Sequence, residues 1–436
     1  MMSRRTITLR YGKGDVTFEI PEKQILCELN GRNRPPLPAL RDAYLAALDH
    51  PVDSAPLREM VTPGGTVAVT VSDITRGWQK NAETLPFLLD YLNAAGVSDE
   101  RITIIIAVGA HRQNTPEEFV ELCGPEVCHR VRVVNHDAWD ERNMVPLGRT
   151  SRGTPVEVSR IGMEADTLIL TGGVIYHYMV GYGGGRKSIM PGICSNRTIQ
   201  TCHLWSMEPE PGGGRSRLSQ SGITDGNPSH EDMMECASLA KPDFIVNVVP
   251  NLDGRLCAVF AGNWVSAWRR ATRRVDEIYG AEIPDRADIV IASAGGYPKD
   301  INLYQTTKTM DNAVQAAKAG GISIILSECP DIREPMEYFQ WFDHPTLEAH
   351  DHALRANYTI AGWCALITRE YCRESPTIML TRPENAELAR KAGLIPAATM
   401  AGALQTAYDM CGRKNPSITV MPQGANTLPR MRGAPR

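Results

Sequence analysis

Three segments of the chain share one pattern, in which an apolar run ends in a polar or glycine-rich tip. The runs are TVAVTV before Asp73, RITIIIA before His111 and DTLILTGG before His177. Apolar runs of this length, alternating with helical segments, are typical of parallel strands in a sheet covered on both faces. Binding sites in such folds form at the carboxyl ends of the strands. The sequence therefore predicts an α/β fold with Asp73, Arg76, His111 and His177 at strand ends.

The length of 436 residues is more than one core usually supports, so we expect two domains. ITLRYGKGDVTFEI predicts a hairpin that leads into the first domain. After two further strands, residues 263–280 predict a long amphipathic helix that would bridge the domains. A second α/β series runs from ADIVIAS to SITVMPQG. We place the boundary between segments 1–280 and 281–436, and the last residues are free to pack back on the first domain.

The stretch Ile175–His203 concentrates residues that can do chemistry. Gly181 and the run Gly183, Gly184 and Gly185 can take positive φ, so their backbone can approach a phosphate or a flat ring. Lys187 would point into that cradle. The phosphate-loop pattern fails here, because Arg186 stands where that pattern has glycine. A glycine-rich turn with a solvated Arg-Lys pair is the alternative that these residues leave open.

The second series contains a polar cluster that follows a strand and enters a helix. Its members include Tyr304, Gln305 and Lys308, and the last two share one helical face. An ordinary solvated helix start would explain them. An amide and an ammonium group would also suit a carboxylate or hydroxyl ligand held between the two domains.

Composition excludes several classes of protein. With 46 basic and 50 acidic residues the chain is near neutral, and no basic face indicates nucleic-acid binding. Apolar runs are shorter than the roughly 18 residues of a membrane helix, and the N-terminus lacks a signal-peptide core, so we expect a soluble cytoplasmic protein with no membrane partner. Eleven cysteines without a CxxC pair favour reduced thiols and make a structural zinc site improbable.

Five motifs in order resemble the nickel-dependent lactate racemase family. They are SDITR at Ser72–Arg76, GAHR at Gly109–Arg112, HYMVGYGGGRKSIMPGI from His177, the single His203, and GGYPKDINLYQTTK at Gly295–Lys308. The similarity covers residues from about 60 to 310. It implies a racemase or epimerase of a 2-hydroxy acid that uses a nickel-pincer nucleotide and depends on the enzymes that synthesise this cofactor. It also implies that the first domain binds the cofactor and that the second closes over an active site between them.

The resemblance assigns roles to individual residues. Lys187 matches the covalent anchor of the cofactor, His203 the nickel ligand, and His111 and His177 the two acid-base catalysts. A neutral imidazole suits the fourth position of a square-planar Ni(II) site. The remaining matches are cofactor contacts at Asp73, Gly183, Gly184, Gly185 and Arg186, and substrate contacts at Arg76, Tyr304, Gln305 and Lys308.

The implied mechanism oxidises the substrate transiently. One histidine takes the hydroxyl proton while the α-hydrogen leaves as hydride, and the planar 2-keto acid then accepts hydride on its other face. Two departures from the family are Tyr176, where many relatives have proline, and Gly183, where serine is common. Trp363 is a candidate for a substrate-contacting tryptophan. The alternatives are a nicotinamide-dependent dehydrogenase, against which the absence of GxGxxG counts, and a non-catalytic carrier of a nucleotide or nickel cofactor.

Overall fold

A computed structural model describes residues 3–433 as two compact units. Within the described residues, unit 1 comprises 3–32, 207–221 and 279–433, and unit 2 comprises 33–206 and 222–278. The chain therefore enters unit 1 three times, whereas the sequence predicted a single boundary near residue 280. Residues 207–221 belong to unit 1, although the segments before and after them belong to unit 2. No change of composition in the sequence indicates this crossing.

The described residues form twenty strands and fifteen α-helices. The strands are β1 (Arg4–Tyr11), β2 (Gly14–Pro21), β3 (Ile25–Glu28), β4 (Val67–Ser72), β5 (Ile102–Ala107), β6 (Arg132–Asn135), β7 (Met144–Arg149), β8 (Pro155–Ser159), β9 (Thr167–Gly173), β10 (Tyr176–His177), β11 (Gly181–Tyr182), β12 (Phe244–Pro250), β13 (Leu256–Gly262), β14 (Gly280–Ile283), β15 (Ala287–Ser293), β16 (Ala317–Leu326), β17 (Thr377–Leu380), β18 (Ile395–Ala397), β19 (Ile418–Met421) and β20 (Leu428–Met431). The helices are α1 (Leu40–Asp49), α2 (Leu57–Met60), α3 (Asn81–Ala94), α4 (Pro116–Cys123), α5 (Pro125–Arg130), α6 (Arg160–Met163), α7 (Asn196–Leu204), α8 (Pro228–Ala240), α9 (Ser266–Tyr279), α10 (Leu303–Ala316), α11 (Met336–Gln340), α12 (Leu347–Ala356), α13 (Ile360–Glu374), α14 (Ala386–Lys391) and α15 (Met400–Cys411). No helix among these residues is both long enough and apolar enough to cross a membrane.

Unit 2 is built on a six-stranded sheet in the order β13-β12-β9-β4-β5-β6. All neighbours are parallel except β12 and β13, which pair antiparallel. Strands β9, β4 and β5, which carry the three predicted tips, lie side by side. Because parallel neighbours end at the same edge, this order brings the segments after Ser72, Ala107 and Gly173 to one edge of the sheet.

The core of unit 2 explains why these segments become strands. β4 is buried over five of its six residues, as expected for a strand covered on both faces. On one face, Leu85, Leu88, Leu89 and Leu92 of α3 follow the i, i+3, i+4, i+7 spacing of a helix that buries a single stripe. α1 and α4 contribute to the same hydrophobic cluster.

Unit 1 is built on a second six-stranded sheet, which is parallel throughout, in the order β18-β17-β16-β15-β19-β3. The predicted hairpin is confirmed as the antiparallel pair β1 and β2. It belongs to this unit rather than to unit 2, because β3 pairs with β19 and the amide of Gly12 donates to Oδ2 of buried Asp300 at 2.6 Å. The expected α/β class, with mainly parallel sheets flanked by helices, is confirmed in both units.

Candidate active site

The ends of β4 and β5 meet through a hydrogen bond between Asp73 and His111. Asp73 caps the 3-10 helix Ile74–Gln79 by accepting from the amide of Thr75 at 3.0 Å. Its other oxygen, Oδ2, lies 2.5 Å from His111 Nδ1. The Asp73 side chain is 6% exposed and that of His111 is 50% exposed, so the carboxylate lies beneath the ring and the ring faces solvent.

The electrostatics of this pair favour an ionised carboxylate. Burial by itself raises the pKa of Asp73, but the hydrogen bonds from His111 and Thr75 and the charges of His111 and Arg76 outweigh it, so the pKa lies below its usual value. A carboxylate only accepts, so Nδ1 of His111 carries the proton and donates. The tautomer is thereby fixed, and Nε2 of His111 is left with a lone pair that can accept a proton.

Arg76 supplies a cation next to this pair. Its Nη1 donates to Oγ1 of Thr75 at 2.6 Å, and its charge lowers the pKa of both Asp73 and Lys187. The residue is partly exposed. A guanidinium held in this way can receive the carboxylate of a small anionic ligand.

The glycine loop after β9 has a left-handed backbone at three of its four glycines, and Gly183 is the one without a positive φ. Gly181, Gly184 and Gly185 have φ of 76°, 65° and 58°. A Cβ on Gly184 would lie 2.7 Å from Val174 Cγ2, and one on Gly185 would lie 2.6 Å from Trp268 Cδ1. Any side chain at these two positions would therefore both strain the backbone and displace its packing.

Lys187 lies in the 3-10 helix Gly185–Ser188 that follows the loop. Its side chain is partly exposed, but desolvation, followed by the positive charges of Arg186 and Arg76, lowers its pKa from 10.5 to about 7. Within residues 3–433, no carboxylate forms an ion pair with its ammonium group. With this pKa about half of the amine is neutral at pH 7, so Lys187 can act as a nucleophile.

Lys187 should react with an amine-acylating reagent at unusually low pH. The neutral fraction of an amine rises as the pH rises through its pKa, so labelling of Lys187 should be half-maximal near pH 7. An ordinary lysine reaches half-maximal labelling near its pKa of about 10.4. Peptide mass spectrometry after brief acetic anhydride treatment across pH 5–11, with exposed Lys80 as internal control, measures both profiles. Coincident profiles for the two lysines would contradict the desolvated environment.

His203 projects from the penultimate position of α7, a helix that Ser195 caps by accepting from the amide of Thr198. The residue is 5% exposed. Burial, and then the charges of Lys187 and His111, lower its pKa to about 3. Its imidazole is therefore neutral at physiological pH, which is the form that binds metal ions. These two electrostatic couplings also show that His203 lies in one cluster with Lys187 and His111.

His177 lies on the short hairpin of β10 and β11, where it pairs with Gly181. The hairpin is held by Tyr176 and Tyr182, whose hydroxyls both donate to Oδ1 of Asp276 at 2.7 Å. His177 Nδ1 lies 3.2 Å from the amide of Met179 and accepts its hydrogen bond. The ring is therefore oriented at the exit of β9, and Tyr176, which departs from the family pattern in the sequence, has a defined hydrogen-bond partner.

The predicted substrate contacts of the second series lie in unit 1. Asn302 caps α10, on which Tyr304, Gln305 and Lys308 occupy the first two turns, and Lys308 Nζ donates to Gln305 Oε1 at 2.7 Å. The predicted common face of Gln305 and Lys308 is confirmed. Trp363 lies in α13 with 0% exposure, so its side chain is not available to contact a substrate in this structure.

Arg186 is oriented differently from the ligand contact that the resemblance implies. Its side chain is completely buried, and it donates to the carbonyls of Val180 and Tyr182 at 2.7 and 2.8 Å. Two further residues were not predicted from the sequence. Asn247 accepts from the Gly185 amide, and Trp268 donates to the Gly183 carbonyl. Trp268 occurs at helical spacing in an amphipathic segment, a pattern that by itself indicates only a core residue.

A buried group of metal-binding type lies next to His203. One ligand atom each from Cys202, Asp232 and Cys236 falls within 4.8 Å of the others. Both oxygens of Asp232 accept hydrogen bonds, from Thr150 at 2.6 Å and Thr154 at 2.7 Å. A structural zinc site was not expected, because the cysteines form no CxxC pair. These three residues come from α7 and α8 and have no diagnostic spacing in the sequence.

Comparisons with known proteins match both halves of the chain. A family model described as the lactate racemase N-terminal domain matches residues 11–214, and one described as the lactate racemase C-terminal domain matches residues 283–428. Lactate racemase from Thermoanaerobacterium thermosaccharolyticum is 30% identical over 435 residues, covering 97% of this chain and 99% of that protein. Lactate racemase from Lactiplantibacillus plantarum is 30% identical over 397 residues, covering 88% and 89%.

Solved structures give the same result. The lactate racemase apoprotein from T. thermosaccharolyticum superposes with a TM-score of 0.88 at 29% identity, covering 98% of this chain and 100% of that chain. A Thermotoga maritima protein superposes with a TM-score of 0.65 at 17% identity over 92% and 100% of the chains, which supports the fold alone. The resemblance drawn from the five motifs is confirmed, and the chain belongs to the lactate racemase family of isomerases.

Proposed function

We propose that this protein racemises or epimerises a 2-hydroxy acid, lactate or a larger analogue, using a nickel-pincer nucleotide attached covalently to Lys187. The observation that carries the proposal is one cluster with three separate chemical capacities. It contains an oriented base at His111, a nucleophilic amine at Lys187 and a neutral buried imidazole at His203.

The residues present fit such a cofactor. His203 offers a neutral nitrogen ligand, and Lys187 offers an amine that can form a covalent bond near neutral pH. Val174 and Trp268 fill the space that a Cβ on Gly184 or Gly185 would need, so only glycine allows the backbone path that leads to Lys187. Gly183, Gly184 and Gly185 remain proposed cofactor contacts. When bound, the cofactor supplies reversible acceptance of a hydride; the protein supplies binding, orientation and proton transfer.

The proton chemistry is assigned to two histidines. Nε2 of His111 accepts the hydroxyl proton of one enantiomer as its C2 hydrogen departs with the bonding electron pair, and a 2-keto acid remains. Return of that hydride to the opposite face of the planar carbonyl, with a proton from His177, gives the other enantiomer. Buried Asp73 orients the neutral ring and stabilises the imidazolium that forms once His111 has taken the proton.

Substrate binding is assigned to the cations and amides of the predicted set. Arg76 lies in the same cluster as His111 and Lys187 and suits the substrate carboxylate. Gln305 and Lys308, which are hydrogen-bonded to each other on α10, together with Tyr304, remain proposed substrate contacts. Production of the active form would require the enzymes that synthesise the cofactor.

Polarimetry on single-enantiomer 2-hydroxy acids tests this function. Protein co-expressed with the cofactor-synthesis enzymes should bring the optical rotation of at least one acid to zero without added nicotinamide, and its intact mass should exceed that of the Lys187→Arg variant by one adduct. Activity that requires stoichiometric nicotinamide would favour the dehydrogenase. An adduct and nickel without turnover of any acid in the panel would favour the carrier.

A further inference from the structure

Beneath the glycine loop lies a buried cation with no acidic partner. The Arg186 guanidinium is 0% exposed, and among residues 3–433 it has no carboxylate within ion-pair distance. Burial lowers its pKa to about 9, so it remains protonated at neutral pH. An isolated buried charge is costly, so its surroundings must offset that cost.

Main-chain carbonyls of the loop provide the first part of this compensation. Nη2 of Arg186 donates to the carbonyl of Val180 at 2.7 Å, and Nη1 donates to those of Tyr182 at 2.8 Å and Gly184 at 3.4 Å. These three carbonyls lie at alternate positions of the loop, from the residue before β11 to Gly184. A planar fork can bridge them in this way, whereas the compact ammonium of lysine cannot.

An aromatic ring provides the second part. The guanidinium carbon lies 4.4 Å from the centroid of the Trp268 ring, a distance typical of a cation–π interaction. The indole Nε1 donates to the carbonyl of Gly183 at 2.9 Å, and buried His230 stacks on the same ring at 5.3 Å. Arg186 and Trp268 therefore contact each other and both donate hydrogen bonds to main-chain carbonyls of the same loop.

We propose that Arg186 is a positioning residue, which fixes the glycine loop from beneath so that the loop presents Lys187, and which makes no contact with the bound ligand. This inference rests on the proposed role of Lys187 as the attachment site. Complete burial separates Arg186 from any ligand on the open side of the loop, and the next residue in the chain is the lysine itself. The charge of Arg186 also helps to keep the Lys187 amine neutral.

The test uses the full chain without cofactor, so its outcome does not depend on racemase activity. Arg186→Lys keeps the charge but loses the fork, Arg186→Met loses both, and Trp268→Phe keeps a ring face but loses the bond to Gly183. Arg142→Lys, at a side chain that is 95% exposed, is the matched control. Each folded variant is analysed for hydrogen–deuterium exchange of residues 175–190 and for the pH profile of Lys187 acylation.

Both Arg186 variants should exchange loop amides at least about tenfold faster and shift the half-maximal labelling of Lys187 by about one pH unit to the alkaline side, because a mobile loop solvates the amine. Trp268→Phe should change the exchange rate and the labelling midpoint in the same direction but by smaller amounts. If the Arg186 variants do not fold, Trp268→Phe alone tests the proposal. Faster exchange with an unchanged labelling profile would reduce Arg186 to a structural residue and overturn the proposal. Unchanged exchange and labelling would also overturn it, as would a wild-type labelling midpoint near pH 10.

Discussion

Replacing His203 by Ala should reduce the nickel content of co-expressed protein from about one ion per chain to nearly none, and racemisation should fall at least about a thousandfold with it. The physical reason is that burial keeps the His203 imidazole unprotonated at all physiological pH values. A neutral imidazole is a nitrogen ligand that suits Ni(II). Alanine leaves the metal without this ligand. Inductively coupled plasma mass spectrometry on desalted protein measures the stoichiometry.

The control for this substitution is His129→Ala, because His129 is exposed on α5 of the same unit. It should leave nickel content and activity unchanged. The buried group next to His203 offers a specific competing result. If nickel persisted in His203→Ala but disappeared in Cys202→Ser, the metal would be bound by Cys202, Asp232 and Cys236, and the assignment of His203 would be wrong.

Much of the fold was predictable because its strands are buried on both faces and therefore appear as continuous apolar runs. The exits of β4, β5 and β9 were located from such runs, and their adjacency in the sheet explains why Asp73, His111 and the glycine loop meet. The start of a helix also has a local signature in the sequence. α4 begins at Pro116, directly after Thr115, which forms a capping box with Glu118.

The supporting residues of the candidate site were not predictable from the same signals. A solvated pair was one reading of adjacent Arg186 and Lys187, yet the Arg186 side chain is completely buried and the partly exposed Lys187 amine is also desolvated. Asn247 on β12 and Trp268 on α9 reach the loop from about 60 and 80 residues farther along the chain. Only the sheet order and the path of α9 bring them there. Periodicity reports that a residue is buried, but it does not report which loop the residue packs against.

Asp73→Asn should lower the racemisation rate by about 10² to 10⁴-fold while leaving nickel content and the Lys187 adduct in place. An amide at this position can still accept from Thr75 through its oxygen, but its nitrogen would then face Nδ1 of His111 as a donor. The ring must respond by placing its proton on Nε2. The lone pair that takes the substrate proton is then lost, although every heavy atom stays in position.

Three comparisons isolate this tautomer effect. Asp137→Asn changes an exposed aspartate of the same unit and should have no effect on rate. Asp73→Ala removes the carboxylate without introducing the amide donor of Asp73→Asn. His111 is then free to adopt either tautomer, so Asp73→Ala should lower the rate less than Asp73→Asn. The imidazole ¹⁵N shifts of His111 distinguish the two tautomers directly. A rate for Asp73→Asn close to wild type, with His111 protonated on Nε2, would show that His111 is not a proton acceptor in the reaction.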